Sequence, residues 1–270
     1  MLSSRILGVG VVGPGLADWD ATQRVLRGDE RYRASRALLP LPVELPPAEQ
    51  RRAGRVVRLA LAIASQAVRA AGIAARELPS IFTSSGGDGE NCHEICVALA
   101  SAEPTLSPTR FHNSVHNAAA GYWSIAQRCA APYTALCAHD ASFGAGLLEA
   151  LLQLRAGASA VLLAAYDVDY PPPLRAYRSI PDAFGVALVL GTGAAGDAAA
   201  SSRAADGPTL SVTLTQDAPT RLDDPELEAL RSAIPAARAL PLLQLLARAA
   251  AGVRVLDYLP EQRLRVELTT

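Results

Sequence analysis

The residues of this chain best suited to chemistry crowd into YTALCAHDASFGAG, where Cys137, His139 and Asp140 offer a thiol, an imidazole and a carboxylate. Such groups suit acyl transfer or hydrolysis, in which a neighbouring base activates a nucleophile. His112 and His116 lie four apart in SPTRFHNSVHNAAAGYWSIAQR, a spacing that can put two imidazoles on one helix face and serve a metal. No Glu stands beside them and no third ligand is in view, which favours hydrogen-bonded structural histidines. Cys92, His93 and Cys96 follow at i, i+1 and i+4, so the thiols share a face and the imidazole points elsewhere. That pattern favours buried small thiols and one surface histidine over a metal site. No metal and no cofactor is expected.

Elements must position these groups. Tyr133–Ala138 is a short apolar strand, His139–Asp140 a tight turn, about Ala141–Arg155 a helix and Ala160–Ala165 a buried strand. A strand that stops at a polar residue and feeds a helix N-terminus is where α/β enzymes often hold a nucleophile, because N–H groups and the helix dipole stabilise negative charge there.

Upstream, Ile6–Val12 is a buried strand ending in Gly13-Pro14-Gly15, and a short helix follows over Ala17–Arg27. The glycines do not form GxGxxG and Pro14 lacks a donor, which argues against a nucleotide site. Residues 28–48, with Pro40, Pro42, Pro46 and Pro47, form an extended surface loop. Glu49–Gly72 has the apolar period of one long core helix; Arg51, Arg52, Arg55 and Arg58 at its start suit a solvated face better than an acidic partner.

Pro79–Ser84 is a strand that turns through Ser85-Gly86-Gly87-Asp88-Gly89, where glycines allow a ligand close to the backbone, into a helix at about Glu90–Leu99. The chain becomes helical again from about Ser114. Beyond the central stretch come a loop (Asp167–Arg178), a buried strand (Ala183–Leu190), a weakly structured small-residue connection (191–207) and a strand (Thr209–Thr215). Helices at Pro225–Ser232 and Ala236–Ala250 and strands at Val253–Asp257 and Arg263–Leu268 close the chain. This alternation predicts an α/β fold, a mainly parallel or mixed sheet between helix layers in one domain.

Composition narrows the function. The chain has 270 residues, 50% hydrophobic and 19% charged, enough for a globular core. A formal net charge of −1 with scattered charges argues against nucleic acid. All 25 basic residues are Arg, so no lysine chemistry, Schiff bases included, is available. Four cysteines without CxxC spacing predict reduced thiols in a cytoplasmic protein. The N-terminus lacks a signal-peptide layout, and no apolar run reaches the length of a membrane span.

Phe111, Asn117-Ala118-Ala119-Ala120-Gly121, the strand–turn–helix at Tyr133–Gly157 and the strand after it together resemble the N-terminal half of β-ketoacyl-acyl-carrier-protein synthases, of the thiolase superfamily. SPTRFHNSVHNAAAGYWSIA is more closely similar to a short subgroup, the β-ketoacyl synthase N-terminal-like or chain-length-factor proteins of aryl-polyene and xanthomonadin-type pigment synthesis. The resemblance spans about residues 5–195, with 208–270 as a shortened C-terminal extension of a truncated, thiolase-like ketosynthase fold.

In ketosynthases the turn before the long helix carries the nucleophilic cysteine, activated by the helix N-terminus. Counting back from Gly157, which matches the glycine closing that helix, puts the cysteine's place on Asp140. Placing Cys137 there instead requires three extra residues in a continuous helix. A carboxylate cannot form the thioester that condensation needs, no HGT motif occurs, and the lysine is absent.

The resemblance therefore implies a non-catalytic subunit that pairs with a full-length β-ketoacyl-ACP synthase, meets acyl carrier protein only indirectly, and shapes the acyl pocket. Asp140 would be a vestigial nucleophile position. Asn113–Arg128 and the strand from Tyr133 would lie at or near the dimer interface, which makes Phe111, His112, Asn113, His116, Asn117, Tyr122 and Trp123 the candidates for the tunnel or the partner contact. Two alternatives stay open. One is a self-sufficient small acyltransferase using Cys137, or a thioesterase-like hydrolase using Asp140 with His139 or a histidine of the 111–116 loop. The other is a carrier-binding scaffold without a tunnel.

Overall fold

A computed structural model describes residues 1–192 and 207–269 of the chain. Its elements run β1 (Leu2–Val12), α1 (Trp19–Arg27), α2 (Pro47–Arg52), α3 (Arg55–Ala71), β2 (Ser80–Thr83), α4 (Gly89–Leu99), α5 (Pro108–His112), α6 (Ala118–Gln127), β3 (Tyr133–Leu136), α7 (Ser142–Arg155), β4 (Ala160–Asp167), α8 (Pro172–Arg175), β5 (Phe184–Gly191), β6 (Thr209–Thr215), α9 (Pro225–Ala233), α10 (Leu240–Ala247), β7 (Gly252–Leu256) and β8 (Arg263–Thr269). Among the described residues eight strands form one mixed sheet in the order β3-β2-β4-β5-β1-β6-β8-β7. Only β3–β2 and β2–β4 are parallel; the remaining pairs are antiparallel. The connection at 191–207 expected from the sequence lies, over 193–206, outside the described residues.

The central strands are apolar without alternation because helices cover both faces of the sheet. Along β4, Val161, Leu163 and Ala165 enter one core cluster while Leu162, Ala164 and Tyr166 enter the other. The first cluster also takes α7, α9 and α10, and the second takes α3 and α6. Helix α3 lies flush on β1 because Gly8 and Gly10 carry no side chain. A Cβ at Gly8 would stand 2.1 Å from the Ala67 carbonyl oxygen, and one at Gly10 would stand 2.1 Å from that of Ile63.

Local chemistry sets the helix ends. The Asp18 carboxylate caps α1 by accepting from the Ala21 N–H at 2.7 Å, worth about 1 kcal/mol. The single helix expected over Glu49–Gly72 is two, because Ala53 is extended and Gly54 starts α3 afresh. A helical glycine costs about 1 kcal/mol, so the break falls at Gly54. The helix expected from Ser114 is also divided. Pro108 and the Ser107 cap begin α5, turns follow it, and α6 starts only at Ala118. At Ala236–Ala250 the chain forms a 3-10 turn over Pro235–Ala239 and then α10, since Pro241 has no N–H to continue a helix already under way.

Cys92 and Cys96 are exposed, contrary to the expectation of buried thiols; only Cys129 is buried. They lie on the outer side of α4, whose buried residues are Gly89 and Asn91. Among the described residues no helix is long and apolar enough to cross a membrane.

Candidate functional site

The parallel strands β2, β3 and β4 end at one rim of the sheet, and the turn from β3 into α7 lies there. Cys137 leaves the strand, His139 adopts a left-handed φ of 50°, and His139–Ala141 form one 3-10 turn before α7. A non-glycine residue held at positive φ needs surrounding support. Ser142 supplies it: its hydroxyl donates to the His139 carbonyl at 2.7 Å and accepts from the Ala138 N–H at 3.0 Å. Thr83 of β2 donates to the Ser142 carbonyl at 3.0 Å, fixing the turn to the sheet.

Asp140 projects from this turn into a double arginine clamp. Arg178 Nη2 donates to Oδ1 at 2.5 Å and Arg238 Nη2 to Oδ2 at 3.0 Å. Arg238 Nη1 also donates to the Asp140 backbone carbonyl at 2.8 Å. His139 Nδ1 stands 3.5 Å from the same carboxylate. A carboxylate whose lone pairs are engaged by two guanidinium groups is a poor nucleophile. Cys137 is exposed, and its thiol donates to the Ser85 carbonyl at 3.4 Å. Neither nearby imidazole is placed to activate it, since His116 Nε2 lies 2.7 Å from the Leu136 carbonyl oxygen and His139 faces Asp140.

Arg238 reaches the turn because Asp167 holds its segment in place. Asp167, only 3% exposed at the end of β4, accepts from the Ser85 N–H at 2.8 Å, the Ala236 N–H at 2.9 Å and the Ser84 hydroxyl at 3.4 Å. Burial is the leading influence on its carboxyl and pushes the pKa above the ordinary 3.8, against these bonds and the nearby Arg178, which pull it down. Arg178 stands 6.0 Å from the centre of the Tyr170 ring. That tyrosine also fills the space above the glycine loop: a Cβ at Gly86 would lie 1.9 Å from its hydroxyl, and one at Gly89 2.9 Å from its ring. The close approach expected of a ligand at these glycines is made by the chain's own Tyr170.

Beside Asp140 lies a cavity of about 420 Å³ lined by Ala138–Ala141, Arg238, Asp257–Pro260 and Arg263. The C-terminal hairpin forms one wall. Asp257 there pairs with Arg231, which also binds Glu228 at 2.6 Å. The Arg231 hydrogen bond brings the Glu228 carboxyl down to about 2. Among the described residues no group of three or more His, Cys, Asp or Glu could hold a metal ion.

The other candidates from the sequence lie to one side of the clamp, on α5, α6 and the turns between them. Phe111 is 64% exposed and His112, also exposed, meets the Tyr122 ring edge-on at 6.5 Å. His112 ends α5 and His116 sits in the following turn, so they do not share a helix face. Asn113 accepts from the Tyr122 hydroxyl at 3.1 Å and donates to the Arg52 carbonyl at 2.9 Å; Asn117 donates to the Tyr133 hydroxyl at 3.0 Å. Tyr122 and Trp123 are buried in the core, Trp123 with its ring 6.3 Å from that of Phe82. Arg178, Arg238 and Tyr170 went unread in the sequence, where no local pattern marks them. Asp167 did carry a signal, a lone carboxylate closing an apolar strand.

A mixed sheet between helix layers, with a strand–turn–helix at the rim of its parallel strands, is the thiolase-like ketosynthase fold. The family described as "Beta-ketoacyl synthase, N-terminal domain" matches residues 19–241, and the chain belongs to it. Similar solved structures include a chain of the ketosynthase ApeO in complex with its chain length factor ApeC from Xenorhabdus doucetiae. It has TM-score 0.73 and 21% identity over 99% of this chain and 100% of that one. A chain of the ishigamide ketosynthase/chain length factor matches at TM-score 0.70 and 15% identity, over 99% of each chain. A chain of the AntDE:AntF complex, a type II polyketide ketosynthase with its acyl-carrier protein, matches at TM-score 0.75 and 11% identity over 100% of this chain and 99% of that one. Among curated protein sequences none matches this chain.

Proposed function

We propose that this chain is a chain-length-factor-like subunit, one ketosynthase-like domain that pairs with a full-length β-ketoacyl-ACP synthase and shapes the pocket in which the acyl chain grows. The setting is fatty-acid or polyketide synthesis of the aryl-polyene type, in the cytoplasm. The observation that carries this reading is Asp140: at the turn where the resemblance puts the nucleophile, the chain has a carboxylate bound by Arg178 and Arg238. In this reading the chain contributes to condensation through its partner and not through a nucleophile of its own.

The surface supports pairing. The N–H groups of Ser80 in β2 and of Ser84 just after it donate to the carbonyls of Pro132 and Leu136, so the alternate residues Tyr133 and Ala135 direct their backbone groups away from β2. Among the described residues no strand pairs with that outer edge. The opposite edge, β7, is blunted by Thr220, which exchanges hydrogen bonds with Val255 at 2.8 and 2.9 Å. Exposed apolar side chains lie on α6, which packs beside β3, and on the segment before it: Ile125 on α6, Phe111 and Val115 on α5 and its following turn, and Val97 and Leu99 on α4 against α5. An unpaired strand edge next to apolar surface is a template for another chain. Phe111, His112, Asn113, His116 and Asn117 would meet the partner or the tunnel from this side, with Tyr122 and Trp123 backing them.

The test is acyl transfer. The isolated chain takes up no acyl group from an acyl thioester and condenses nothing. Co-expressed with its synthase, it alters product length when Phe111 or His112 is enlarged. Condensation by the isolated chain would overturn the proposal.

A further inference from the structure

We propose that Arg178 and Arg238 form a binding site for a small carboxylate, which Asp140 fills as an internal ligand. The clamp's geometry carries this assignment independently of the pairing proposed above. Two guanidinium groups converge on one carboxylate, leaving one positive charge over. The arginine side chains are 24% and 19% exposed, and the Asp140 side chain is 42% exposed. The cations are therefore the fixed, inner part of the site and the carboxylate the outer part.

The arginines keep their places without that carboxylate. Arg238 Nη1 is held at 2.8 Å by the Asp140 main-chain oxygen, which any residue at this position supplies. Arg178 extends from a backbone whose N–H donates to the Leu174 carbonyl at 3.0 Å, and its guanidinium lies over the Tyr170 ring, 6.0 Å from the centre. Asp140 itself makes no capping bond to α7, and the turn that leads into the helix is fixed by Ser142. The carboxylate therefore serves the arginines and not the helix, and a free carboxylate of the same shape can take its place.

Access comes through the cavity of about 420 Å³ that opens beside Asp140. Its other charged groups do not compete for the two cations. Asp257 is paired with Arg231, and Arg263 donates to the carbonyls of Leu259 and Pro260 at 2.6 and 2.8 Å. His139 stands at the rim with its side chain 71% exposed. The hairpin carrying Asp257–Arg263, which walls this access route, lies outside the stretch matched by the family.

The experiment is rescue of Asp140→Ala by sodium acetate, read as Tm of the full chain against sodium chloride at equal ionic strength. Acetate is expected to raise the variant's Tm saturably by about 2 °C or more beyond chloride. Half-saturation in the variant should need at least tenfold less acetate than in the wild type, where Asp140 competes. The added rise should vanish in Asp140→Ala/Arg238→Gln. Should Asp140→Ala fail to accumulate folded, refolding yield in acetate against chloride gives the same comparison. An equal response of wild type and variant, or a rise that persists in the double variant, would overturn the assignment.

Discussion

Replacing Asp167 by Ala should loosen the link between the parallel strands and the C-terminal segment that carries Arg238. Its carboxylate receives two main-chain N–H groups, from Ser85 at 2.8 Å and Ala236 at 2.9 Å. A buried donor left without an acceptor costs about 1–3 kcal/mol, so two cost roughly 2–6 kcal/mol. Removing a buried carboxylate returns part of this, which leaves a loss of about 3 kcal/mol. For a chain of this size that corresponds to a fall in Tm of roughly 6–12 °C.

The pH dependence adds a second reading. Burial raises the folded-state pKa of Asp167 above 3.8, so the native state holds this proton more tightly than the unfolded state. Its contribution is full below the unfolded value and is lost as pH rises through the folded value. Asp167→Asn cannot titrate, so the stability gap between wild type and this variant should narrow as pH is raised from about 4 towards 8. Thermal melts across that range measure both effects. A fall of less than 2 °C in Asp167→Ala, or a gap that widens with pH, would refute the reasoning.

The pairing edge has its own probe: Ala135→Pro removes an outward-facing N–H and spares the β2 ladder. It should weaken capture of the partner synthase at least tenfold while the Tm of the chain stays within a few degrees, by affinity measurement and melting. Gly10→Ala drives a Cβ to 2.1 Å from the Ile63 carbonyl oxygen and should cost about 2 kcal/mol or more in a denaturant melt. Gly121→Ala on α6, with nothing within 4 Å of the added Cβ, should be neutral or stabilising by up to about 1 kcal/mol. Cys137→Ser should leave condensation by the paired complex within about twofold, whereas a Cys137 nucleophile would lose about 100-fold or more, as single-turnover acyl transfer would show.

The fold was legible where burial on both faces leaves a plain signal. The apolar runs of β4 and β5 stand within a residue or two of their expected places, the alternating β6 falls where its one-sided pattern put it, and α7 follows its strand and turn as read. Helix breaks were harder, because Val56 and its successors keep their apolar period while Ala53 and Gly54 interrupt the hydrogen bonding. The turn at Asp140 was visible from its strand, its helix and Gly157. Its partners were not: Arg178 and Arg238 lie 38 and 98 residues further on, in segments placed by tertiary contacts. The exposure of Cys92 and Cys96 depends on which face of α4 packs inward, which spacing alone does not decide.

Affinity capture of the tagged chain from its native source, followed by native mass spectrometry, tests the subunit reading most directly. The expected result is a stoichiometric complex with a full-length β-ketoacyl-ACP synthase, with any acyl group carried on the partner and none on this chain. A chain recovered alone, carrying an acyl group on Cys137 or Asp140, would contradict it.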